Sequence, residues 1–169
     1  MREIFFRGKR KYNGQWITGY YMRHMKRKQC STDEHIKSND IQDIILFDGL
    51  SVQNMPRGIL YVEIDINTLG QWTGLTDCKN NKIFEGDIIC ARYTPVQFPN
   101  HFVIGYVIFE NGTFKINVTE SKNEKEYKEY AKYEVSSFSI EHNFIDRGYT
   151  IEVIGNIYDH SELLQNDLK

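Results

Sequence analysis

Cys30 and His35 come nearest in this chain to a metal-binding pair, with four residues between them. Zinc sites need three or four such ligands. No second pair stands at ligand spacing, and His24, His101, His142 and His160 are scattered. These side chains read as solvated or hydrogen-bonded groups, so no metal is expected. Cys78 and Cys90 could act as nucleophiles, which requires a lowered thiol pKa. Asp77 precedes Cys78, and its charge would raise that pKa. Cys90 closes an apolar segment and reads as a small core residue. Asp77, Glu85 and Asp87 could converge on a cation or form an acid–base pair. The alternative is local: carboxylates beside turns accept hydrogen bonds from nearby backbone amides. Gly70, Gly74 and Gly86 form no phosphate loop, since no Gly-Lys-Ser/Thr follows them. Trp72 with Tyr61 could stack a base or sugar, but an indole flanked by Gly70 and Gly74 reads first as a core residue. No catalytic set, cofactor site or small-molecule site emerges, and the expectation is a protein that is not an enzyme.

Charge is more telling. The 169 residues carry a net −2, unevenly distributed. Residues 1–28 hold nine Lys or Arg against Glu3 alone, a balance of +8; the remainder holds 12 basic and 22 acidic side chains, −10. Arg7, Lys9, Arg10, Lys11, Arg23, Lys26, Arg27 and Lys28 make the candidate interaction surface. Such a patch is a statement about partners, not about fold. It could neutralise nucleic-acid phosphates, dock on the acidic part of a second copy, or remain solvated. Few exposed aromatic residues can be assigned beside these cations, so a single-strand stacking platform is not supported. The chain supplies its own counter-charge, is slightly acidic overall, and has no recognisable nucleic-acid motif. Self-association is the favoured reading, with nucleic acid as the alternative.

The elements that must carry these residues read as strands. Aromatic residues make up 14% of the chain and isoleucine recurs, a composition that suits pleated surfaces. Residues 3–22 read as a hairpin with an Asn13-Gly14 turn. Residues 23–40 are polar and read as a long loop. Ile44–Phe47 is a short strand, and 58–66 alternates cleanly, with Leu60, Val62, Ile64 and Ile66 expected to face a core. Five further strands are expected over 84–93, 102–109, 113–118, 133–140 and 149–157, with Asn111-Gly112 as a second hairpin tip. Residues 122–132 suggest a short surface helix, and Ser161–Leu164 a final helical turn with a serine cap. The expected fold is mainly β, with few short helices. An N-terminal β subdomain of 1–75 carries the basic hairpin and polar loop, and packs with a C-terminal SH3-like barrel of 76–169. The three cysteines form no disulfide framework. No signal-peptide apolar region and no membrane-length apolar run is present, so a cytoplasmic protein is expected.

The stretch from Leu69 to Ile89 is the most distinctive. Gly70 and Gly74 bracket Trp72, a polar turn runs through Asp77–Lys82, and Ile83-Phe84-Glu85-Gly86-Asp87-Ile88-Ile89 re-enters a strand. Together with Phe6-Arg7-Gly8-Lys9, Gly14-Gln15-Trp16, Gly19-Tyr20 and Glu152-Val153-Ile154-Gly155-Asn156-Ile157-Tyr158, this resembles the YopX family of phage and prophage proteins. The resemblance covers most of the chain. It implies a phage-derived, mostly β protein of the bacterial cytoplasm, with structural roles for Gly70, Trp72, Gly74, Glu85, Gly86, Asp87, Gly155 and Asn156, and it brings no catalytic residues. Two positions depart from the family pattern. Asn81 stands where the family often has Gly, which asks a positive φ of it, and His160-Ser161 stands where the family often has Asn-Pro.

Overall fold

The computed structural model describes residues 3–25, 41–48, 58–93, 102–121, 138–139 and 149–164. These residues form ten strands and one 3₁₀ turn. The chain divides into two compact units, Met1–Gln71 and Trp72–Lys169.

The first unit is built from β1 (Phe6–Arg10), β2 (Trp16–Met25), β3 (Ile41–Asp48) and most of β4 (Ile59–Thr76). All pair antiparallel in the order β1-β2-β3-β4, and β4 pairs with β1 as well as with β3. The turn between β1 and β2 is longer than the expected two-residue one. It occupies residues 11–15, and of Asn13 and Gly14 only Gly14 takes a positive φ, 68°. The Arg10 N–H donates to the Gln15 carbonyl (2.9 Å), and the Gly14 N–H donates to the Arg10 carbonyl (2.8 Å). Beyond the expected hairpin, Arg23 to Met25 continue as strand instead of opening the loop. β3 supplies their partners, with Arg23 opposite Asp43 and Met25 opposite Ile41.

β4 is 18 residues long, twice the alternating segment expected from the sequence. Residues 59–63 pair with β3, Ile64 and Asp65 pair with Arg10 and Lys9, and Gly70 and Gln71 pair with Arg7 and Phe6. The extra residues, 66–69, bulge out of the β1 ladder. There the Lys9 N–H donates to Thr68 Oγ1 (2.8 Å), whose hydroxyl donates to the Asp65 carbonyl (2.7 Å). This exchange of neighbours breaks the expected inward face. Ile64 is buried, Val62 is half-buried, and Leu60 and Ile66 are exposed. The core is Ile17, Ile45 and Ile64, lined by Tyr21, Phe47, Val62 and Leu69.

In the second unit β5 (Lys82–Phe84) pairs with the end of β4. β6 (Asp87–Tyr93), β7 (Phe102–Glu110), β8 (Thr113–Ser121), β9 (Phe138–Ser139) and β10 (Tyr149–Asn156) form an antiparallel sheet in the order β10-β6-β7-β8-β9. Asn111 and Gly112, at φ 52° and 81°, link β7 to β8 as the sequence predicts. Ile83, Ile89, Val103, Val107 and Ile116 lie at the centre of the core, with Phe114 and Ile151 beside them. The helix expected over 122–132, and all of the 133–140 strand except Phe138–Ser139, lie outside the described residues. Ser161–Leu164 forms the final turn, as 3₁₀ helix. No helix among the described residues is long and apolar enough to cross a membrane.

Each core has a fully buried isoleucine at its centre, Ile45 and Ile116. Ile45→Ala and Ile116→Ala should each cost about 2–5 kcal/mol, the transfer loss plus the cavity left behind. Urea denaturation followed by far-UV circular dichroism checks both values.

Candidate functional site

Two groups of residues were singled out by the sequence: the cations of the first hairpin and the glycine, aspartate and tryptophan positions of the 69–89 stretch. Arg7 and Lys9 are two residues apart on β1, so they project from one face. β2 brings Trp16 to that face, directly opposite Lys9. The Arg7 guanidinium carbon lies 4.6 Å from the indole centroid and the Lys9 ammonium 5.3 Å. Both are cation–π distances. Phe5 and Tyr20 meet edge-on beside them at 5.6 Å. An aromatic surface therefore does accompany the cations, against the sequence reading. The signal was the hairpin register, which depends on a turn longer than the one assumed.

The remaining cations of the hairpin are engaged locally. Arg10 donates to the Tyr12 hydroxyl at 3.1 Å. Lys11 binds Glu63 at 2.7 Å, and the hydrogen bond and charge of that carboxylate raise the Lys11 pKa. Arg23 binds Asp43 at 3.1 Å, and Tyr21 donates to the same carboxylate at 2.6 Å. Burial pushes the Asp43 carboxyl up, but the hydrogen bonds from Tyr21 and Arg23 outweigh it and leave its pKa lowered. Lys9, Arg10 and Lys11 face Asp43, Glu63 and Asp65 around a groove of about 420 Å³. The groove is charge-balanced, not basic. Lys26, Arg27 and Lys28 lie outside the described residues.

The second group forms a set of loop clasps. Asp77 is buried, and its Oδ1 accepts from the backbone N–H groups of Lys79 and Asn81, both at 2.8 Å. Its Oδ2 accepts from the Asn81 side chain (3.0 Å) and from the Val153 N–H of β10 (3.2 Å). Burial alone would raise the Asp77 pKa, but the hydrogen bonds from Asn81, Val153 and Lys79 hold it below the ordinary aspartate value. In this loop the positive φ falls at Asn80 (64°), not at Asn81. Asn81 is committed instead to the Asp77 carboxylate.

Asp87 is buried and accepts the Phe84 N–H at 2.7 Å. This closes the turn that carries half-buried Glu85 and buried Gly86. Gly86, at φ 81°, donates to the Val107 carbonyl and accepts from the Ile157 N–H, both at 2.9 Å. A Cβ there would lie 3.0 Å from the Tyr158 ring. Asn156 Oδ1 accepts from the Tyr158 and Asp159 N–H groups, and a Cβ on Gly155 would press on His160. His160 thus packs against Gly155.

Trp72 differs from its expected core role. It is half-buried, its Nε1–H donates to the Leu75 carbonyl at 2.8 Å, and the Lys82 ammonium covers its ring at 4.5 Å. Gly70 is buried opposite Arg7. Gly74 is exposed at φ 92° with open space around it, so backbone conformation and not packing requires glycine there. The cause is an irregularity in the β4–β5 ladder between Trp72 and Thr76, which a period-two reading of Gly70, Trp72 and Gly74 does not anticipate.

The YopX protein family matches residues 5–165, and the chain belongs to that family. No curated protein matches it.

Asp77→Ala removes the acceptor of four hydrogen bonds from a buried site and should cost about 2–4 kcal/mol. Because the folded pKa of Asp77 is lowered, its contribution is complete above the unfolded value of 3.8 and is lost as pH falls through the folded value. Urea denaturation midpoints at neutral and acid pH check this. The acid-side loss of stability should be smaller in Asp77→Asn than in the parent.

Proposed function

We propose that this chain is a phage or prophage accessory protein that acts in the bacterial cytoplasm by binding, without catalysis, and that it associates with copies of itself. The observation that carries the reading is the apolar surface of the first unit. Tyr20, Met22 and Tyr61 are 53%, 40% and 67% exposed, and the strand register places them on one sheet face. Exposed apolar groups clustered in this way mark protein contacts. The carboxylates at hand on the other chain elements are consistent with local roles, because Asp77 and Asp87 are spent on backbone amides. We read the second unit as an SH3-like barrel, supported by its five antiparallel strands and short hairpin; such a barrel would not specify an activity.

A nucleic-acid role is the second reading. Arg7 and Lys9 against Trp16 favour it, since single-strand binders combine cations with aromatic faces. The ion pairs of Lys11 and Arg23 weigh against it, as does the acidity of Asp43, Glu63 and Asp65 around the groove.

Sedimentation velocity over a range of concentrations, with and without a single-stranded oligonucleotide, tests the two. Concentration-dependent association that persists at high salt and ignores the oligonucleotide is expected. A monomer that co-sediments with the oligonucleotide, and loses it in Arg7→Glu/Lys9→Glu, would give the nucleic-acid reading instead.

A further inference from the structure

β4 has one neighbour, β3, over its first residues. Ile59, Leu60, Tyr61 and Val62 pair with Asp48, Phe47, Leu46 and Ile45. On the other edge, among the described residues, the β1 ladder ends where the Lys11 N–H donates to the Glu63 carbonyl. Backbone groups alternate in direction along a strand. Since Glu63 turns its carbonyl to the β1 side, Tyr61 and Ile59 turn their N–H and C=O groups to that side too. This edge is open. It is also apolar on both faces: Ile59 and Tyr61 are 74% and 67% exposed on one face, and Leu60 is 49% exposed on the other. Proteins ordinarily blunt an open edge with charge, proline or a bulge, and none of these occurs from Ile59 to Val62.

We infer that this edge pairs with the same edge of a second copy of the chain, antiparallel and across a two-fold axis. The inference rests on the self-association proposed above and specifies its contact. The register follows from which groups are open. The Glu63 carbonyl is already engaged by Lys11, which disfavours a register that puts Ile59 opposite Glu63. Ile59 then exchanges hydrogen bonds with Tyr61 of the second copy, and Leu60 meets Leu60 of the second copy on the axis. Every side chain brought together is apolar, so no like charges meet. A two-fold contact is the self-complementary kind, each interaction occurring twice.

Two variants test this, both checked for native circular dichroism. Tyr61→Pro removes one edge N–H, and proline is tolerated where that N–H faces solvent. Tyr61→Ala shortens the side chain and keeps the N–H. Tyr61→Pro should weaken dimerisation at least tenfold more than Tyr61→Ala in sedimentation equilibrium. In Cys30→Ser/Cys78→Ser/Leu60→Cys, where buried Cys90 is the one native cysteine left, the two introduced cysteines would face each other in a non-hydrogen-bonded pair, with Cα atoms about 4.5 Å apart. That lies within disulfide range, so mild oxidation should give a covalent dimer. If the parent chain is monomeric at every concentration, the self-association reading fails and this inference with it. If the parent associates, but Tyr61→Pro matches Tyr61→Ala and Leu60→Cys does not cross-link, the edge pairing alone is overturned and a face contact takes its place.

Discussion

The constraint on which the fold depends is that β4 must find neighbours for 18 residues of backbone. Each buried amide and carbonyl needs a partner, and strand twist carries a long strand away from any one neighbour. β4 meets this by changing partners, from β3 to β1 and then to β5. Where a ladder is interrupted, a side chain takes over from it: Thr68 serves Lys9 and Asp65 at the bulge within the β1 ladder, and Thr73 donates to the Ile83 carbonyl at 3.0 Å at the irregularity in the β5 ladder. The positive φ of Gly74 belongs to that second irregularity.

The most characteristic positions of the chain do related work in the second unit. Asp77, Asp87 and Asn156 are buried polar side chains whose oxygens accept backbone N–H groups. Each ties a turn to its own ends, and Asp77 also reaches β10. A buried carboxylate is costly unless it is hydrogen-bonded, so these residues are best explained as parts of the scaffold.

The surface of the first unit is where charge and apolarity meet. The excess of cations in the first 28 residues suggested a field that needs an external partner. Folding answers part of it within the unit, through Glu63 and Asp43. Exposed ion pairs of this kind add little stability, but they remove net charge from the surface. The exposed aromatic and aliphatic groups of β2 and β4 then become the larger feature.

The sequence by itself determined the mainly β class, the Asn111-Gly112 hairpin, the turn at Glu85-Gly86-Asp87 with its buried isoleucines, and the family. All of these are carried by short-range chemistry: side-chain alternation, turn residues that adopt positive φ, and a contiguous motif. Tertiary structure alone decided which of Leu60, Val62, Ile64 and Ile66 is buried, because that depends on where β4 leaves β3 for β1. It decided that Trp72 lies half-buried under Lys82, that Asn80 rather than Asn81 takes the positive φ, and that the Trp16 ring meets both Arg7 and Lys9. It also joined Lys11 to Glu63 across 52 residues. Each of these turns on a register or a partner distant in the chain, and local residue patterns do not encode the register of strands whose neighbours are not yet known.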